Sequence, residues 1–252
     1  MTKKMIILIL SAVLFFSAFR PDAMARDLIA TVGIIPPHSM KGEDGQPQGG
    51  FVEIVQAIDA VFTEGKISIR LYPVARASNT VKTGKADFCL PAIPHPYIPL
   101  DNQPVSFASE PITKVSFVLY TRADQPPLPL ELLGQYRIDV IRGTDIFPFH
   151  VWGVNDTEQG ILKVLAGRSD GFISEQDAAD DYIRKNQLKN IRRALYHKLN
   201  SSVLIPKGPK GKEIDRIISS ALRKLKASGE LQKITDKIHR PYSDWQPYKR
   251  NW

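Results

Sequence analysis

Cysteine is nearly absent. The 252-residue chain carries one, Cys89, which excludes a disulfide framework and a zinc ribbon, since both need several. Its setting, Phe88-Cys89-Leu90, reads as a buried apolar strand in which the thiol is a filler rather than a nucleophile. There is no P-loop and no dinucleotide fingerprint. The five histidines (His38, His95, His150, His197 and His239) include no pair at i, i+3 or i, i+4 spacing, so a metal site would require distant ones to converge. No cofactor is expected. Past residue 25 no apolar stretch approaches the ~20 residues that span a bilayer. Low complexity is missing too: 43% hydrophobic and 24% charged residues are an ordinary globular mixture.

The first 25 residues stand apart. Lys3 and Lys4 precede an apolar run of 15, Met5 to Phe19, and Ala23-Met24-Ala25 has the small-x-small pattern at which signal peptidase cuts. The run is too short for an anchor, so we expect a signal peptide over 1–25, cleavage after Ala25 and a periplasmic product. Without Lys3, Lys4, Arg20 and Asp22, 31 basic residues face 25 acidic ones, a net charge of +6 spread along the chain. Behind an export signal, that modest excess argues against nucleic acid as a partner.

The remaining sequence alternates strand and helix. Strands are predicted at Asp27–Ile34, Lys66–Tyr72, Ala86–Leu90, Val115–Tyr120, Arg137–Ile141 and Gly171–Ser174. Phe51, Ile54, Val55, Ile58, Val61 and Phe62 recur in steps of three and four and make one buried helix face, as do Ile214, Ile217, Ile218, Ala221, Leu222 and Leu225. Further helices are expected at Arg76–Thr83, Thr157–Ala166, Glu175–Asn186 and Glu230–Ile238, and six prolines keep Pro91–Pro111 irregular. This order means an α/β fold with mostly parallel sheets, in which ligands sit at the carboxyl ends of strands. Gly167-Arg168-Ser169-Asp170-Gly171 matches the nucleophile-elbow pattern, but a helix precedes it and a strand follows. That is the reverse of what the elbow needs, so the segment reads as a helix cap and a turn.

Six short motifs lie in register along the chain: Gly33–His38, Gly49–Ile54, Val81–Asp87, Phe107–Ile112, Val140–Thr144 and Leu165–Asp170. In this order and spacing the sequence resembles the bacterial extracellular solute-binding proteins of the polar-amino-acid-binding type, family 3. The resemblance implies a two-lobed periplasmic-binding-protein type II fold. Each lobe is a mostly parallel sheet flanked by helices, and two crossover strands form the hinge. Mapped here, lobe one covers 26–117 and 206–252, lobe two 118–205, with crossovers at Val115–Thr121 and Ser202–Pro206. It further implies a monomer that closes on a small solute and is recognised by the permease of an ABC importer or by a histidine-kinase or chemoreceptor sensor.

The family's ligand contacts carry over with departures. No Lys or Arg occurs from Ala86 to Thr113, where relatives place the Arg that grips an α-carboxylate. An ordinary amino acid is therefore a poor fit. Arg76 or Arg142 is expected to supply the positive charge for a polar or anionic ligand, and Glu175, at the end of the lobe-two strand, to face its positive end. Pro37 and His38 stand where relatives carry an aromatic, and Ile93 and Thr144 complete the candidate set. Pro148 interrupts any long helix after Gly143-Thr144, which weakens Thr144 as a contact. Two other functions stay open. A dehydratase on the same fold would use Glu175, its pKa raised by burial, as a general acid. An accessory protein with a degenerate pocket would have it filled by Tyr97, Phe149 or Trp152. The reading preferred is a binding protein, not an enzyme.

Overall fold

Alternating apolar runs and amphipathic stripes fold into a mixed sheet with helices packed on it. The computed structural model describes residues 26–144 and 146–247; the expected leader and its cleavage site lie outside the described residues. The first elements are β1 (Leu28–Gly33), β2 (Met40–Lys41), β3 (Pro47–Gln48), α1 (Gly50–Val61), β4 (Ile67–Tyr72), α2 (Val74–Lys82), β5 (Phe88–Ala92) and β6 (Ser106–Phe107). Then come β7 (Thr113–Arg122), β8 (Ile138–Ile141), β9 (Trp152–Val154), α3 (Thr157–Leu165), β10 (Gly171–Glu175) and α4 (Gln176–Lys185). β11 (Ile191–Ile205), α5 (Pro209–Ala227) and α6 (Glu230–Ile238) close the chain.

The large sheet runs β4-β1-β5-β11-β7-β10-β8-β9, with β6 beside β11. β4, β1 and β5 are parallel, as are β10, β8 and β9. Two long antiparallel strands, β7 and β11, join these groups: Ile191–Ser201 of β11 pairs with β7, while Ser202–Leu204 pairs with β5. Lobe one is thus the β4-β1-β5 side and lobe two the β7-β10-β8-β9 side. The chain changes lobes near residues 107–113 and 200–203, where Ala108 donates to Val203 and Ile112 to Ser201.

Each lobe buries apolar side chains on both faces. In lobe one, α1, α5 and α6 bring Phe51, Ile54, Ile58, Ile218, Leu222 and Ile234 into one core with Val32 and Leu90. Each fully buried side chain of this size contributes about 1.5–3 kcal/mol. α2 covers the opposite face, where Val81 meets Cys89 and Leu204. In lobe two, α3 and α4 cover Phe172 and Val118 through Ile161, Val164 and Ile183. The other face is closed by Leu133, from a short 3-10 helix at Leu130–Gln135, and by Ile146 and Phe147 from coil. Directly after Gly143-Thr144, the described residues 146–151 form no helix.

Three segments depart from the sequence expectation. β9 and the Ile191–Ser201 part of β11 form strands although their patterns are too polar or too short to announce them. The tail after α6, expected to stay with lobe one, instead lays Tyr242 and Trp245 on the lobe-two core. Ser169 of the elbow-like motif is buried and donates to the carbonyls of Arg137 and Gly171, a turn-fastening role. No helix among the described residues is long and apolar enough to cross a membrane.

Candidate functional site

A cavity of about 190 Å³ lies between the lobes, lined from both sides. Lobe one contributes Ile35, His38, Phe51 and Ile93, and lobe two Phe117, Thr144, Ile173 and Glu175. The lobes touch firmly at its edge. Gly143, at φ 96°, sits where a Cβ would come within 2.7 Å of Ala75 Cα, so only glycine lets this lobe-two loop rest on α2.

The loop after β1 delivers His38. Ile35 and Ser39 exchange backbone hydrogen bonds at 3.0 Å, and the Ser39 hydroxyl donates to the Gly33 carbonyl, which folds residues 34–39 into a tight turn. The His38 carbonyl then accepts from Phe51 N–H at 3.0 Å, seating α1 on the turn. Gly49, at φ 107°, permits this approach, since a Cβ there would lie 2.5 Å from that carbonyl oxygen. His38 ends up 3% exposed, edge-on to Phe51.

Glu175 arrives from lobe two. As the last residue of β10 it caps α4, its carboxylate accepting from the amides of Asp177 at 3.0 Å and Ala178 at 3.1 Å. Oε2 lies 3.1 Å from His38 Nε2, and Oε1 lies 3.4 Å from Nδ1 of His239, the residue that ends α6. Burial pushes the Glu175 carboxyl up, but the two imidazoles beside it, His239 and His38, outweigh it and hold the group well below the usual carboxylate range.

Among the sequence candidates, His38, Ile93, Thr144 and Glu175 line the cavity. Pro37, Arg76 and Arg142 do not: all three are exposed, and the Arg76 guanidinium stacks on the Tyr72 ring at 4.7 Å. Lys82 is the one Lys or Arg in the described lining and Glu175 the one carboxylate. His239 escaped the sequence reading because nothing local marks it; only the return of α6 to the cleft brings it beside Glu175. Tyr97, Phe149 and Trp152 are absent from the lining: Tyr97 is exposed, and Phe149 packs against Phe147 and Tyr196.

Two α/β lobes hinged by a pair of long strands around a lined cleft define a periplasmic-binding-protein fold. The chain belongs to the bacterial extracellular solute-binding proteins, family 3, whose model matches residues 28–240. Among solved structures, a histidine kinase sensor domain with similarity to periplasmic binding proteins shares 20% identity at a TM-score of 0.70, covering 86% of this chain and 99% of that one. A mutant of ArgBP from T. maritima shares 19% at 0.67, covering 84% and 94%. An ancestral amino-acid-binding protein, a precursor of cyclohexadienyl dehydratase, shares 16% at 0.66, covering 85% and 96%. None of the curated proteins matches the chain.

Proposed function

We propose that the protein is a periplasmic solute-binding protein whose cleft takes a small, largely apolar solute with one hydrogen-bonding or cationic head, and whose closed form is read by a membrane permease or sensor. The observation that carries this is the lining. Ile35, Phe51, Ile93, Phe117 and Ile173 are apolar lining residues, no Arg is among the described lining residues, and one cluster of its polar side chains is His38, Glu175 and His239, with Lys82, His95 and Gln103 also in the lining. A free α-carboxylate would find no guanidinium there and only the exposed Lys82 as a cation, so burying it at the His38–Glu175 end would cost several kcal/mol. The sequence expectation of an anionic ligand rested on Arg76 and Arg142, which stand off the cavity. The volume is below the about 300–1,000 Å³ of drug-sized sites, which favours a small molecule. A dehydratase would need Glu175 protonated, whereas its surroundings favour the carboxylate.

Thermal unfolding against a panel of small amines, aromatic and aliphatic alcohols, amino acids and organic acids tests this reading. A ligand at 100 times its dissociation constant adds about 2.7 kcal/mol, or roughly 5–10 °C for a chain of this size. The expected hit is an apolar amine or alcohol whose effect is reduced by substituting Phe117→Ala. Hits confined to α-amino acids and organic acids, and lost in Arg76→Ala or Arg142→Ala, would overturn it.

A further inference from the structure

Three potential metal ligands distant in sequence converge in the lining of the cavity. His38 Nε2 is 3.1 Å from Glu175 Oε2, His239 Nδ1 is 3.4 Å from Glu175 Oε1, and one donor atom from each residue lies within 4.8 Å of the other two. A tetrahedral Zn²⁺ with bonds of about 2.0–2.1 Å to nitrogen and oxygen sets its ligand atoms roughly 3.3–3.4 Å apart. Each imidazole already stands near that distance from one carboxylate oxygen, His38 from Oε2 and His239 from Oε1, so a small adjustment brings three ligand atoms around one ion. We propose that His38, Glu175 and His239 form a binding site for a divalent transition-metal ion, with Zn²⁺ the best match to two imidazoles and one carboxylate.

An independent observation points the same way. The His239 side chain is 5% exposed, yet among the described residues neither ring nitrogen has a hydrogen-bond partner, its 3.4 Å approach to Glu175 being misaligned for one. Buried polar atoms are ordinarily paired, and a cation between the rings would take a lone pair from each. The carboxylate is already oriented for this by the Asp177 and Ala178 amides, and the two rings are braced against Phe51 at 5.9 and 5.6 Å. Three protein ligands leave a fourth position for water or for a solute head that carries a free lone pair. His38 and His239 come from lobe one and Glu175 from lobe two, so a bound ion would also tie the lobes together.

The test uses the protein purified without a polyhistidine tag and stripped with EDTA, in the absence of any organic solute. Its failure therefore leaves the solute-binding reading standing. It is titrated with ZnCl₂ by calorimetry and with CoCl₂ by visible absorption. We expect one equivalent bound, the d–d bands of four-coordinate Co²⁺, and at least a ~10-fold loss of affinity in both His38→Gln and His239→Gln. Absence of saturable binding, or binding unchanged in both variants, overturns the site. Should a variant fail to fold, proton NMR of the Co²⁺ protein decides: hyperfine-shifted N–H signals from two imidazoles support the site, and their absence overturns it.

Discussion

Glu175 carries several structural roles at once: it ends β10, caps α4 and meets two histidines of the other lobe. Its carboxyl is held low by those partners despite burial. A carboxyl with a folded pKa below its unfolded value of about 4.3 contributes stability that is present above that value and is lost as pH falls through the folded one. Glu175→Gln is therefore expected to cost about 1–3 kcal/mol near neutrality and less as the pH drops below about 4. Urea unfolding of both proteins at neutral and acid pH checks this, and a pH-independent gap would refute it. Cys89 shows the simpler residue-scale case. Burial pushes its thiol up to about 12, in keeping with the apolar filler that its neighbours suggest.

Elements with regular apolar spacing were legible, and those with a disturbed period were not. α1 and α5 bury the stripes that their sequences display. β11 hides its first part because the register shifts between Leu195 and His197, leaving Tyr196 as an extra residue. The bulge moves odd-numbered side chains from one face to the other: Ile191 packs with the α3–α4 core, and Leu199 with the opposite one. Polar Arg192, His197, Lys198 and Asn200 complete the disguise. α3 carries a test of element packing. A Cβ on Gly160 would sit 2.5 Å from the Phe172 ring. Gly160→Ala should destabilise by about 1–3 kcal/mol, outweighing the helix propensity of about 1 kcal/mol that alanine gains. A raised melting temperature would show that the ring yields.

At the scale of the molecule, the C-terminal tail is a third connection between lobes already joined by β7 and β11. It leaves α6 in lobe one, and Arg240 immediately pairs with Asp177 of α4, donating from Nε at 2.7 Å and from its amide at 2.9 Å. Further on, the carbonyls of Ser243 and Trp245 accept from Arg193, and Gln246 bonds both the amide and carbonyl of that residue. Arg193 is itself fully buried against Asp180, which also accepts from the Tyr120 hydroxyl at 2.9 Å. Deleting residues 240–252 strips Arg193 of these acceptors and uncovers the surface under Tyr242 and Trp245. We expect a loss of at least ~3 kcal/mol and a larger radius of gyration as the lobes separate. Denaturant titration and small-angle scattering would read the two, and an unchanged midpoint would refute the tail's part in stability.

The sequence by itself determined the fold class, the family resemblance and the place of Glu175, because each rests on local information: apolar period, glycine punctuation and motif order. Tertiary structure alone decided the chemistry of the cleft. Arg76 and Arg142 stand near it in the chain but outside its lining, while His239 enters it only through the packing of α6. Strand and helix periodicity report which face of an element is buried. They carry no information on which residues of two different lobes meet across a gap, for that depends on the hinge strands, a bulge and a tail set by long-range contacts.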